Sequence, residues 1–377
     1  MAASNPAPAP LRRVIKVGTS LLRGSAERPT TAVIADLAAS INRRHRCGEA
    51  LALVTSGAVG LGCTTLAMAS RPREVVALQA AAAVGQGRLM GLYQDAFAVR
   101  GLSVAQVLLT RGDLASRRRF QNARQTLEQL LAWGVIPIVN ENDTLATDEL
   151  RFGDNDTLSA LVAVAIQADE LVLLTDVDRL YSGDPRTDAS AQPIEEVRDR
   201  EQLDQLQAVA GGGGQWGTGG MTTKLRAARI ATSSGIRVRL ADGRDPAVLD
   251  ALLAGERLGT VFQPSPQPLT DRKRWLAHAL LPKGTLVLDG GAVEAVRQRG
   301  ASLLAVGVKA VEGSFGAQEP VRLVDGQGQE LARGLCAVGS RDLQQALAQG
   351  HDALRSLLAE QQAVLVHRDQ LVLTAEP

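Results

Sequence analysis

Aromatic side chains are scarce in this 377-residue chain, 3% of residues against 45% hydrophobic overall. A core with so few rings must be filled by Ala, Val and Leu, the usual content of a helix-covered parallel sheet. Cysteine is sparse as well. Cys47, Cys63 and Cys336 lie far apart, are odd in number and form no CxxC pair, which argues against a disulfide framework or zinc site and for buried free thiols. An excess of either charge is missing too: 41 Lys+Arg face 40 Asp+Glu, a formal +1. No overall field is available to hold a nucleic acid or an acidic membrane, and a small-molecule partner fits better. No run approaches about 18 uncharged apolar residues, and the opening MAASNPAPAP has no apolar leader core. The expectation is a soluble, cytoplasmic protein whose residues 1–10 form a disordered tail.

What is present is an alternation. RRVIKVG (Arg12 to Gly18), ALALVTS (Ala50 to Ser56), SVAQVLLT (Ser103 to Thr110), VIPIVN (Val135 to Asn140), ELVLLTD (Glu170 to Asp176) and IRVRLAD (Ile236 to Asp242) read as strands. Helical or glycine-rich segments separate them, including a stripe at Val33, Ile34, Leu37, Ala38 and Ile41 and an Ala-rich stretch from Glu74 to Val99. Repeated βαβ units predict an α/β fold, a parallel sheet in a three-layer αβα sandwich with ligands over the carboxyl ends of its strands. The length suits two domains. FQPSPQPLTD (Phe262 to Asp271) carries three prolines in ten residues and is the best linker. The division expected is 11–262 for the α/β domain, 263–271 for the linker and 272–377 for a small β-rich domain of Gly-punctuated strands.

Five polar or glycine-rich segments follow predicted strands, where such a fold places its site. KVGTS (Lys16 to Ser20) sets a lysine beside backbone N–H groups that could hold a phosphate; a surface lysine before a turn is the plainer alternative. TSGAVGLG (Thr55 to Gly62) offers a hydroxyl and amides suited to a carboxylate or phosphate. It lacks the GxSxG spacing of a nucleophile elbow, and the four histidines lie in unrelated segments. Ser56 is therefore a binding residue or an ordinary helix cap. NENDT (Asn140 to Thr144) and GDNDT (Gly153 to Thr157) bring seven Asn, Asp or Glu side chains close to a helix starting near Thr157, more than one cap needs. Candidate partners are a substrate ammonium, a catalytic lysine or hydrated Mg²⁺, against a solvated Asx-turn loop. AGGGGQWGTGGMTTKLRAARIA (Ala210 to Ala231) runs a glycine tract into a helix carrying Lys224 in its first turn, a cradle for polyphosphate without the Walker A spacing.

In this order the segments resemble the amino acid kinase family, in particular its members that phosphorylate the side-chain carboxylate of glutamate. The likeness runs from Lys16 through QAAAAVGQGRLM (Gln79 to Met90), LLTRGDL (Leu108 to Leu114), NEND, GDND, LTDVDRLYSGDPR (Leu174 to Arg186) and GTGGMTTK (Gly217 to Lys224). RKRWLAH (Arg272 to His278) and GVKAVEGSF (Gly307 to Phe315) are similar to the PUA domain often appended to such enzymes. The resemblance implies that Lys16 and Lys224 neutralise the transferred phosphoryl group and that Asp156 holds them. It places Ser56, Gly57, Asp143, Asp154 and Asn155 on glutamate. Thr175, Asp176, Thr218, Gly219, Gly220, Met221, Thr222, Thr223 and the two lysines fall on ATP. It further implies Mg²⁺ with ATP and no metal site built from protein ligands, proline as a feedback inhibitor, and a homo-oligomer.

Two other readings compete. One is a sibling carboxylate kinase acting on acetylglutamate or aspartate, against which the PUA-like module and the NEND…GDND pair argue. The other is a regulatory or RNA-binding protein with a degenerate kinase domain, against which the retained lysines and Asp156 argue. From Arg272 onward there are 12 Lys+Arg and 11 Asp+Glu, a net of one positive charge. GAQEP (Gly316 to Pro320) replaces a GD-containing turn, and CAVGSRDL (Cys336 to Leu343) lacks a tyrosine. These features do not favour an RNA surface.

Overall fold

The computed structural model describes residues 10–25, 27–146, 154–185, 188–211, 220–268, 273, 276, 282–350, 352–354 and 364–374. Met1–Leu114 and Arg118–Pro268 make one compact unit, and Leu269–Pro377 belongs to another. The linker expected at 263–271 runs partly outside the described residues.

In the first unit, strands β1 (Arg12–Val17), β2 (Ala50–Val54), β3 (Val104–Leu109), β4 (Ile136–Glu141) and β5 (Glu170–Thr175) are joined through helices. These are α1 (Thr19–Leu22), α2 (Thr30–Arg46), α3 (Ala58–Thr65), α4 (Val75–Ala98), α5 (Arg111–Ala115), α6 (Arg117–Ala132) and α7 (Asn155–Ala165). Three short strands follow, β6 (Leu180–Tyr181), β7 (Pro193–Ile194) and β8 (Glu196–Val197), then α8 (Arg200–Gly211), α9 (Gly220–Ser233), β9 (Arg237–Asp242), α10 (Pro246–Ala254) and β10 (Thr260–Phe262). The main sheet has eight strands in the order β3-β4-β2-β1-β5-β9-β10-β8, parallel except that β10 runs against β9. The sandwich read from the sequence is the fold observed; the short strands β6 to β8 and the antiparallel β10 were too brief to be read from pattern.

Helices cover both faces, so β5 is buried at every residue and reads as a nearly continuous apolar run. Alternation still decides which face each side chain serves. Ile15, Val17, Leu51, Leu53, Val172 and Leu174 join one core with α2, α4 and α10. The stripe Val33, Ile34, Leu37, Ala38 and Ile41 is buried there as its spacing required. Lys16, one residue from Ile15 and Val17, points the other way, toward α7 and α9. α4 is long and apolar enough by composition to cross a membrane, yet Ala81, Gly85, Gln86, Leu89, Tyr93 and Phe97 along it are buried within the protein. Its approach to α3 is backbone to backbone: a Cβ added to Gly85 would lie 1.8 Å from the carbonyl oxygen of Ala58, and one on Gly62 1.8 Å from that of Ala81.

At the amino ends of the strands sits a buried ion cluster. Glu170 accepts from Arg13 Nε at 2.9 Å and forms an ion pair with Arg239, 2.7 Å from its Nε, while Glu49 pairs with Arg13 and Arg44. Arg239 also donates to the carbonyls of Leu252 and Glu256 at the end of α10. With partners for both carboxylates the cluster meets the condition for burying charge, although such pairs specify geometry more than they stabilise it.

The second unit is β-rich, as expected. Strands β11 (Gly284–Leu288), β12 (Leu303–Leu304), β13 (Val308–Gly313), β14 (Glu319–Val324), β15 (Glu330–Cys336), β16 (Val364–Val366) and β17 (Leu371–Leu373) are accompanied by α11 (Gly290–Arg299) and α12 (Ser340–Gln349). Five strands form a sheet in the order β13-β11-β14-β15-β17 over its own apolar core. The GAQEP turn holds Gln318 at φ 61°, and its N–H donates to Cys336 O at 2.7 Å. Most of RKRWLAH lies outside the described residues. The expected buried thiols are corrected in part: Cys336 is buried, Cys63 half-buried and Cys47 exposed.

The α3–α4 contact leaves no room for a methyl group. Gly85→Ala should lower stability by about 3 kcal/mol or more, read as an earlier urea transition, because relief requires moving backbone rather than a side chain.

Candidate active site

The carboxyl ends of β1, β2, β4 and β5 converge with the starts of α7 and α9. Helix α7 begins at Asn155, two residues before the expected start, because Asp154 caps it. Asp154 Oδ1 accepts from the N–H groups of Asp156 and Thr157 at 2.9 and 3.2 Å, and Oδ2 accepts from Thr157 Oγ1 at 2.6 Å. Both oxygens of Asp154, which the resemblance places on glutamate, are engaged in this cap. Burial raises its carboxyl above the ordinary value against the pull of those bonds.

The cap turns Asp156 toward two lysines. Lys16 Nζ lies 2.5 Å from Asp156 Oδ1, and Lys224 Nζ 3.3 Å from Oδ2, which also accepts from Thr223 Oγ1 at 2.8 Å. Lys16 is 6% and Asp156 3% exposed, so the surface-lysine alternative is excluded. Lys224 is the fifth residue of α9, beyond the first turn, and its ammonium folds back to Gly220 O at 3.2 Å. Burial draws Lys16 below its ordinary value and Lys224 pushes the same way, while Asp156 opposes them. For Asp156 burial acts upward, yet the two ammoniums outweigh it and hold the carboxyl below its usual range.

Beside this array runs a chain of amides. Asn155 Nδ2 donates to Thr55 O at 2.8 Å, to Ser56 Oγ at 2.7 Å and to Asn140 Oδ1 at 3.1 Å. Asn140 Nδ2 donates to Gln86 Oε1 at 2.9 Å. Helix α3 is capped by Gly57, at φ 98°, without a side-chain bond, so Ser56 is not the cap that its sequence allowed. Asp143 lies in the turn after β4, half-buried. Thr175 is buried at the end of β5, with exposed Asp176 following. Gly220 opens α9, followed by Met221 and Thr222; Thr218 and Gly219 lie outside the described residues. Gln86 and Thr55 were not singled out from the sequence. The available signal was a glutamine on the apolar side of an Ala-rich helix.

Two cations from different layers held by one buried carboxylate, next to hydroxyl and amide groups at the ends of parallel strands, can bind and neutralise anionic groups brought together for transfer. A model described as the amino acid kinase family matches residues 12–242, and one for the PUA domain matches residues 284–355. The chain belongs to the amino acid kinase family. It is 61% identical over 360 residues to the Glutamate 5-kinase of Prochlorococcus marinus (strain MIT 9313), and 62% identical over 360 residues to that of Synechococcus sp. (strain CC9902). Each match covers 96% of this chain and 98% of the relative. A solved carbamate kinase from Giardia superposes with TM-score 0.50 at 18% identity, over 68% of this chain and 100% of that one, a likeness of fold.

Removing the shared carboxylate exposes the cost of the array. Asp156→Asn should lower stability by about 3–5 kcal/mol, because it leaves Lys16 buried without its counter-ion. The pH dependence has a defined sign. In wild type the contribution of Asp156 is present above 3.8 and lost as pH falls through its lower folded value. Lys16 binds its proton less tightly folded than unfolded, so its contribution to stability grows as pH rises toward 10.5. In Asp156→Asn that alkaline rise should steepen, read from thermal unfolding across pH.

Proposed function

We propose that the chain transfers the γ-phosphoryl group of ATP to the γ-carboxylate of L-glutamate, giving glutamyl 5-phosphate, the reaction that begins proline synthesis. The observation that carries this reading is the buried Lys16–Asp156–Lys224 array adjoining the Ser56–Asn155 contact. The likeness to two glutamate 5-kinases, at 61% and 62% identity over almost the whole chain, supports it.

A glutamate side chain has an ordinary pKa of about 4.3, so it is already an anionic nucleophile at neutral pH and needs no general base. That fits a site described without histidine. The remaining work is to align two anions and offset their repulsion. In this reading Lys16 and Lys224 stabilise charge on the phosphoryl group as its bond to the leaving ADP breaks and the bond to the carboxylate oxygen forms. Asp156 keeps both ammoniums directed at that position. Ser56, Gly57, Asp143 and Asn155 hold glutamate. Thr175, Asp176 and the Thr218 to Lys224 stretch hold ATP. Asp154 acts through the cap that positions Asn155 and Asp156.

Mg²⁺ would accompany ATP. Asp156 has its oxygens engaged by Lys16, Lys224 and Thr223, and no group of three His, Cys, Asp or Glu able to hold a metal occurs among the described residues. This donor set fits an ion carried on phosphate oxygens and water, where it would offset phosphate charge. We also propose proline as inhibitor, a cytoplasmic location and a homo-oligomer. The near-balance of charge in the C-terminal unit supports a role other than RNA binding.

ATP- and Mg²⁺-dependent hydroxamate formation with hydroxylamine should be selective for glutamate over N-acetylglutamate and aspartate and suppressed by proline. A signal with another acid would reassign the substrate. Lys224→Ala should reduce kcat about 10²–10³-fold with a smaller change in glutamate KM; unchanged turnover would remove it from the mechanism. Because burial depresses Lys16, kcat should decline at high pH through an apparent pKa below 10.5, as deprotonation removes a required positive charge.

A further inference from the structure

The amide chain beside the lysines ends in two unanswered groups. Its orientation follows from backbone groups that have only one possible role. Thr55 O can only accept, so Asn155 presents its NH₂ to it, and the same NH₂ reaches Asn140 Oδ1. The Glu141 N–H can only donate, and it too meets Asn140 Oδ1, at 2.9 Å. Asn140 must therefore turn its own NH₂ to Gln86, whose Oε1 accepts it. What remains is a donor, Gln86 Nε2, and an acceptor, Asn155 Oδ1, each buried and without a hydrogen-bond partner among the described residues. An unanswered buried polar atom is costly and rare, and one amide, Asn140, links this pair.

A donor and an acceptor left open together match the two charged groups at the α-carbon of an amino acid, a carboxylate that accepts and an ammonium that donates. We propose that Gln86 is a specificity-determining residue that donates through Nε2 to the α-carboxylate of the bound amino acid, while Asn155 Oδ1 accepts from its α-ammonium. The inference rests on the reading of this site as an amino-acid carboxylate site and adds how the non-reacting end is recognised. The lysine array then meets only the side-chain carboxylate, so phosphorylation is directed away from the α-carboxylate. A neutral amide suits this task, because it binds the α-carboxylate without adding a third cation that would compete for the reacting anion.

Gln86→Glu tests the assignment while keeping the internal contact. Its carboxylate can still accept from Asn140 Nδ2, but the open donor becomes an anion facing the substrate's carboxylate. The expected results are a glutamate KM raised about 10- to 100-fold, the range for a lost hydrogen bond to a charged group, with ATP KM within twofold. The preference for glutamate over isoglutamine, whose α-carboxyl is an amide, should fall by at least about tenfold, because the introduced carboxylate can accept from that amide. Gln86→Leu should raise glutamate KM and lower this preference less than Gln86→Glu does, because it removes the donor without supplying an acceptor for the amide. Thermal unfolding of both variants and calorimetric titration with glutamate complete the set. If wild type phosphorylates glutamate and Gln86→Glu leaves KM and the isoglutamine preference within twofold, the inference falls and the proposed function stands. If glutamate binds in a Gln86-dependent way but is not phosphorylated, the function falls and the inference stands. If wild type does not bind glutamate, both fall.

Discussion

One carboxylate holds the site together. Asp156 is the common partner of an ammonium from β1 and another from α9, elements that meet only because a parallel sheet lets a strand near the start of the domain lie under helices from its second half. Two buried like charges side by side repel, and burial itself disfavours both. The shared anion makes the arrangement tolerable and leaves net positive charge directed at the strand ends. The Asp154 cap is the mechanical part of the same device, because it sets where α7 starts and so which way Asn155 and Asp156 face.

The two ends of the sheet treat charge differently. At the amino ends, Arg13, Glu49, Glu170 and Arg239 are paired with one another and with backbone carbonyls, and the cluster holds β1, β5, β9 and α10 in register. At the carboxyl ends cations outnumber the buried carboxylate they share, and two amide atoms are left open. Charge is therefore matched within the amino-end cluster, whereas at the carboxyl ends two ammoniums share a single buried carboxylate.

The close crossing of α3 and α4 belongs to the same construction. Gly62 and Gly85 let the two helices touch at backbone distance, which brings Gln86, one residue on, beneath the strand end that carries Asn140. A bulkier residue at either glycine would move that glutamine away from the amide chain as well as loosen the core.

Sequence alone determined the strand order of chemistry: short apolar runs, each followed by a polar or glycine-rich segment, require a helix-covered parallel sheet with its site at one edge, and Lys16, Ser56, Asn155, Asp156 and Lys224 were identifiable there by residue type and family likeness. Periodicity carries that information because burial on both faces of a sheet leaves its mark residue by residue. Tertiary structure decided the partnerships. That Lys16 is buried rather than exposed, that Asp154 serves a cap, that Gly57 rather than Ser56 caps α3, and that Gln86 reaches Asn140 all depend on contacts between segments distant in the chain. Local pattern cannot specify them, since a hydrogen bond across 54 residues is set by how layers pack and leaves no periodic trace in either segment.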